Sequence, residues 1–199
     1  MSLVGAVSYD ASTALVIVDV QNDFADPQGN LYVSAGEEVV PVINDEVDRA
    51  LSAEALVVYT ADWHPASTPH FLKDGGIWPV HCVADTWGSE FHPDLRVEGP
   101  VIRKGTNGED GYSGFTMQDP ETKATKPTEL AALLRDRGIT RIVVVGLATD
   151  YCIKATAIDG TAAGFAVHVL TDATRSVDLN PGDGLRALAE AERAGCSLF

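Results

Sequence analysis

The stretch Arg141-Ile-Val-Val-Val-Gly-Leu-Ala-Thr-Asp-Tyr-Cys152 decides how the rest of the chain is read. Its first seven residues are a short apolar run, rich in β-branched side chains and without polar alternation, which is the pattern of a strand buried on both faces. The Ala-rich segment Asp150–Ala163, stopped by Gly164, follows at once and reads as a helix. A buried strand passing straight into a helix is the repeating unit of an α/β sheet.

The same grammar recurs on both sides. Ala14–Val20, Ala55–Thr60 and Ala166–Thr171 are further buried-strand candidates, and Pro100–Arg103 is a shorter one. Helical spacing appears over Glu37–Leu51, with apolar residues at 39, 40, 43, 47 and 51. It returns over Thr128–Arg137, opened by Pro127 and closed by Gly138, and over Gly184–Arg193 before Gly195. This alternation predicts a doubly wound α/β sheet, expected as a single domain over residues 1–199. Only Ala61–Gly114 breaks the rhythm; its His, Trp, Pro and Gly content predicts long functional loops rather than a linker.

Composition narrows the function. A formal net charge of −15 repels phosphate backbones and anionic surfaces, so neither nucleic acid nor a membrane is an expected partner. No apolar run approaches the roughly 20 residues of a membrane helix. Met1–Ser12 lacks the basic and apolar regions of a secretory signal, so cytoplasm is the default. Three cysteines, Cys82, Cys152 and Cys196, cannot all pair, which leaves at least one free thiol.

Ligands in open α/β sheets collect at the carboxyl ends of the strands. Asp19, Asp62, His64, Lys104, Cys152 and Asp172 all fall at or just beyond such ends, and they are expected to converge on one rim. Cys152 lies in the first turn of a helix, where exposed N–H groups and the helix dipole favour the thiolate and face an oxyanion. Asp19 is the natural base, and Lys104 would hold both partners charged. Taken singly, each residue has a blander reading, as core cysteine, loop cap or surface charge.

The loop from Asp62 through His64 and His70 to His81 gathers three of five histidines and a carboxylate. Such a mixed set suits one divalent metal ion, Zn, Fe or Mn, and the lack of a CxxC pair argues against a zinc finger. Phe24, Trp78 and Tyr112 are aromatic residues on which a flat ring could stack, whereas Trp63 and Trp87 are expected to fill the core. His92 and His168 have no assignable task.

Six short motifs then carry a resemblance: Val18-Asp-Val-Gln-Asn-Asp-Phe24, Asp62-Trp-His-Pro65, Trp78-Pro-Val-His-Cys82, Arg103-Lys-Gly105, Tyr112-Ser-Gly-Phe115 and Gly146-Leu-Ala-Thr-Asp-Tyr-Cys152. In this order, from about Ala14 to Asp172, they resemble the nicotinamidase and pyrazinamidase branch of the isochorismatase-like cysteine hydrolases. The resemblance implies a six-stranded parallel sheet with helices on both faces. It implies a catalytic triad of Asp19, Lys104 and Cys152, with an oxyanion hole from the N–H groups of Ala148 and Cys152 beside a cis Leu147–Ala148 peptide. It assigns the divalent metal to Asp62, His64 and His81, with His70 where some members place a fourth ligand. Phe24, Trp78 and Tyr112 would frame a small aromatic carboxamide, deamidated to the acid and ammonia in NAD salvage. The Gly105–Gly111 loop and Tyr151 depart from the pattern, the latter replacing a histidine of certain members.

Rival readings are an amidase for N-carbamoyl compounds, a metallohydrolase in which Cys152 is structural, and a binding module without turnover. The metal loop argues against the first, activity of Cys152→Ala would favour the second, and ligand binding without turnover the third. Homo-oligomers are common among soluble enzymes, and no surface seam is visible in the sequence.

Overall fold

The computed structural model describes residues 7–199; the part of the Met1–Ser12 reading that falls on residues 1–6 lies outside them. Six strands form one parallel sheet: β1 Thr13–Val18, β2 Leu56–Asp62, β3 Val101–Lys104, β6 Arg141–Leu147, β7 Ala166–Arg175 and β8 Ser197–Leu198. A separate antiparallel pair joins β4 Thr116–Gln118 to β5 Thr125–Pro127. The helices are the short α1 Asn22–Ala25, then α2 Val39–Ser52, α3 Leu130–Asp136, α4 Lys154–Ala162 and α5 Asp183–Arg193.

The sheet order is β3-β2-β1-β6-β7-β8. The chain therefore runs outward from β1 through β2 and β3, then restarts on the other side of β1 with β6. Such a reversal leaves a crevice between the carboxyl ends of the two adjoining strands, here β1 and β6. Asp19 follows β1 and Cys152 follows β6, so the polar residues sit at the one place where the topology opens the sheet edge. Register levels the strand ends: Val18 lies beside both Thr60 and Gly146, and Asp62 beside Lys104.

Successive residues of β1 feed opposite cores, as period two requires. Leu15 and Ile17 pack with Val57, Tyr59, Val143 and Val145 under α2, through Val40, Ile43 and Val47. Ala14, Val16 and Val18 pack with Val58, Ile142 and Val144 under α3 and α4, through Leu130, Leu134 and Ala157. Both faces of the sheet are thus covered, as the unalternating apolar runs predict. No helix among the described residues is long and apolar enough to cross a membrane.

Three differences from the sequence reading have physical causes. β8 is two residues long and β4 and β5 three each, too short for any periodicity to mark them. β7 runs on past a register shift to Arg175, so Asp172 is an exposed residue within the strand and does not join the rim. Trp87 is 46% exposed and Trp63 half-buried beneath the Arg103 guanidinium, so neither fills the core.

Gly146 shows how tightly β1 and β6 close beneath the crevice. Its φ is +115°, and a Cβ there would lie 2.1 Å from the Val18 carbonyl oxygen. Gly146→Ala is expected to destabilise the fold by on the order of 3 kcal/mol, because left-handed backbone and a clash with backbone add up. Urea denaturation checks this; a midpoint unchanged from the parent would contradict it.

Candidate active site

The ends of β1, β2 and β3 deliver Asp19, Asp62 and Lys104 to the crevice, and the turn after β6 delivers Cys152. Asp19 has left-handed backbone, φ 52°, which breaks it away from β1 while its N–H still donates to the Thr60 carbonyl at 3.2 Å. The Thr60 hydroxyl donates to Asp19 Oδ1 at 2.6 Å, and Lys104 Nζ lies 2.9 Å from Oδ2. Lys104 Nζ also pairs with Asp62 Oδ1 and stands 3.9 Å from Cys152 Sγ. Exposure is 0% for Asp19, 1% for Lys104 and 7% for Cys152, so one cation holds two carboxylates and a thiol out of water.

Burial changes the proton arrangement expected from the helix position of the cysteine. Burial pushes the Cys152 thiol well up; Lys104 opposes this, while the charge of Asp19 adds to it. Burial thus works against the thiolate expected at this turn. Burial also raises the Asp19 carboxyl against the pull of Lys104. Burial disfavours the charge of Lys104, yet Asp19 and Asp62 outweigh it and hold its ammonium well above the usual range. Asp62 is correspondingly held well below the carboxylate range, Lys104 overcoming its desolvation.

Cys152 sits in a π turn, Thr149–Ile153, that leads into α4. The Ala148 carbonyl accepts from the N–H groups of Tyr151 and Ile153, each at 3.1 Å. The Leu147–Ala148 peptide is cis. The Asp150 carboxylate accepts from the N–H groups of Val177 and Asp178 at 3.0 and 2.9 Å, drawing the segment after β7 across so that Val177 joins the cavity wall.

On the opposite side, His64, His70 and His81 are buried with a nitrogen of each within 4.8 Å of the others. Local pairing sets them: the His64 N–H donates to the Cys82 carbonyl at 2.9 Å, and the Leu72 N–H to that of Trp78 at 2.7 Å. His81 Nδ1 lies 2.7 Å from the Pro79 carbonyl and His70 Nδ1 2.7 Å from Asp110 Oδ1. Both partners can only accept, so the protons reside on Nδ1 and Nε2 of each ring is left as a lone pair. Burial pushes His81 down to about 4, which keeps it a neutral ligand at ordinary pH. Asp62 stands beside this trio rather than within it, its Oδ2 3.8 Å from His64 Nε2 and its other oxygen on Lys104. Both ring nitrogens of buried His64 lack a hydrogen-bond partner, an arrangement that fits a donor set awaiting a metal ion.

Between the two sides lies a cavity lined by Phe24, Trp78, Tyr112, Ala148, Cys152 and Val177 among others. Trp78 Nε1 donates to the Tyr112 hydroxyl at 3.0 Å, and Tyr151 stands edge-on to both rings at 5.0 and 5.2 Å. The isochorismatase domain matches residues 13–192. The chain belongs to the isochorismatase family.

Within that family, the chain is 36% identical to the nicotinamidase of Escherichia coli over 94% of its own length and 93% of the relative. Among solved structures it is similar to the pyrazinamidase of Pyrococcus horikoshii in complex with zinc, with TM-score 0.84 and 38% identity over 94% and 98% of the two chains. It is likewise similar to PnC1 of L. infantum in complex with nicotinate, with TM-score 0.86 and 35% identity over 97% and 95%. Several residues of this isochorismatase-family site escape a strand-end reading. Gln21 clamps Asp62 from both sides, donating to its carbonyl at 2.7 Å and accepting from its N–H at 2.8 Å. Asp23 accepts from the N–H groups of Cys82 and Asn30 at 2.6 and 2.9 Å. Both lie in the first quoted motif, as Asp150 lies in the last, which was the available signal; Thr60 and Asp110 had none.

Proposed function

We propose that this chain deamidates nicotinamide, and pyrazinamide with it, to the carboxylic acid and ammonia through a thioester on Cys152. The observation that carries the reading is one cavity walled by Phe24, Trp78, Tyr112, Cys152, His70 and His81, with Lys104 beside the thiol, Asp19 paired to Lys104, and His64 completing the imidazole trio. In the first half-reaction Asp19 takes the Sγ proton as sulfur attacks the carboxamide carbon. The N–H groups of Ala148 and Cys152 receive the oxyanion, and Asp19 returns the proton as ammonia leaves. Asp19 next takes a proton from a water molecule that attacks the thioester carbon, then returns it to Sγ as the C–S bond breaks and the acid departs. Lys104 keeps Asp19 anionic between these transfers. Burial raises Asp19, which makes it a stronger base toward the Sγ proton than an exposed carboxylate.

His64, His70 and His81, with the free oxygen of Asp62, would hold one divalent cation of the Zn, Fe or Mn type. When bound, that ion supplies a Lewis-acid anchor for a ring nitrogen and so orients the amide toward Cys152. Relatives in complex with zinc and with nicotinate support this reading. The product would feed NAD salvage.

Ammonia release from nicotinamide by the purified protein tests the proposal. Chelation is expected to depress kcat/KM by about tenfold or more, chiefly through KM. Alkylation of Cys152 by iodoacetamide should continue at its former rate. No turnover with metal supplied would defeat the substrate assignment and make N-carbamoyl amides the next substrates to assay.

A further inference from the structure

The Gly105–Gly111 loop lies against the histidine cluster at three points. A Cβ on Gly105, whose φ is +76°, would lie 2.5 Å from His64 Nδ1, so this backbone closes over the first ring. The Gly108 carbonyl accepts from the Thr68 hydroxyl at 3.0 Å, and Thr68 Oγ1 in turn accepts from the His70 N–H at 3.3 Å. Asp110 Oδ1 meets His70 Nδ1 at 2.7 Å. Asp110 is itself pinned: its N–H donates to the Gln118 carbonyl at 2.7 Å and its carbonyl accepts from the Gln118 N–H at 2.6 Å, at the last residue of β4. The Gly111 N–H donates to the same carboxylate oxygen at 2.9 Å.

We propose that Asp110 is a positioning residue for the metal: its carboxylate fixes the Nδ1–H tautomer and the orientation of His70, so that Nε2 of this ring joins those of His64 and His81 as a ligand. The proposal rests on the metal reading above, in which His70 is already a ligand, and adds to it the residue that orients that ring. Without an acceptor at Nδ1, the His70 ring is free to take its other tautomer or turn over, and either change removes the aimed lone pair. Asp110 is one-third exposed on its side chain, so its effect comes from hydrogen-bond direction rather than from buried charge.

The test is zinc affinity, measured by competition with a chromophoric chelator on wild type, Asp110→Ala, Asp110→Asn, His70→Ala and the Asp110→Ala/His70→Ala double variant. Asp110→Ala is expected to weaken zinc by about 10- to 100-fold. Asp110→Asn, which keeps an acceptor oxygen, should weaken it less. In the His70→Ala background the Asp110 substitution should cost nothing further, since an effect transmitted through the ring vanishes with the ring. Equal losses in both backgrounds would overturn the proposal, as would wild-type zinc binding undiminished by Asp110→Ala or His70→Ala. Absence of zinc binding by the wild type would instead defeat the metal reading itself. Should Asp110→Ala fail to fold, the Asp110→Asn comparison in the two backgrounds decides the question alone.

Discussion

Cys152→Ala is expected to reduce nicotinamide hydrolysis by on the order of 10⁴-fold or more, because the sulfur proposed to form the acyl intermediate is removed. The loss should appear in kcat, with KM little changed, since the aromatic wall and the histidine cluster remain. Stability should fall by no more than about 1 kcal/mol, as the deleted sulfur is small and faces the cavity. Ammonia release gives the rate, and mass spectrometry of quenched wild-type enzyme gives the adduct at Cys152 that the variant should lack. Retained turnover in the variant would rule out covalent catalysis and favour the metallohydrolase reading.

Lys104→Met should be the most damaging single change to the fold and nearly as damaging to activity. Nζ is the cation against which Asp19 and Asp62 are buried. Removing one partner of a buried ionic network leaves uncompensated charge, at a cost of about 3–5 kcal/mol. The variant should also respond to pH in a distinctive way. With the lysine gone, burial and the Asp62 charge act on Asp19 against the Thr60 hydroxyl alone, so its folded carboxyl sits further above its unfolded value. The folded state then holds a proton that the unfolded chain releases, and stability drops as pH rises from the unfolded carboxylate value through the folded one. In the wild type Asp62 contributes in the opposite sense: its folded value is depressed, so its stabilisation is present above the unfolded value and lost as pH falls. Urea unfolding of both proteins across the weakly acidic range measures the difference. A variant no less stable than wild type would show that Lys104 does not hold these carboxylates together.

Much of the architecture could be read before any coordinates. The unbroken apolar runs at 14–20, 55–60 and 141–147 became β1, β2 and β6, and the helices between them packed on both faces. Local periodicity reports how many faces of an element are buried, and for these strands the answer was both. Placing Asp19, Lys104 and Cys152 at strand ends needed only the rule that ligands gather there. Phe24, Trp78 and Tyr112, scattered along the chain, line one cavity. The same rule misled for Asp172, because β7 runs on past a register shift that leaves no mark on residue order.

By itself, then, the sequence determined the long strands and helices, their α/β alternation and most of the polar groups at the sheet edge, all consequences of neighbours along the chain. Tertiary structure alone decided how those groups are paired and charged. Lys104 reaches Asp62 across 42 residues and Cys152 across 48, and Gln21 grips Asp62 across 41. Which carboxylate shares the lysine, which histidines form a trio, and whether a thiol rests protonated depend on distance through space and on exclusion of water. Neither is encoded in residue spacing, because loops such as 105–111 carry no period, yet the 2.7 Å contact of Asp110 with His70 arises there.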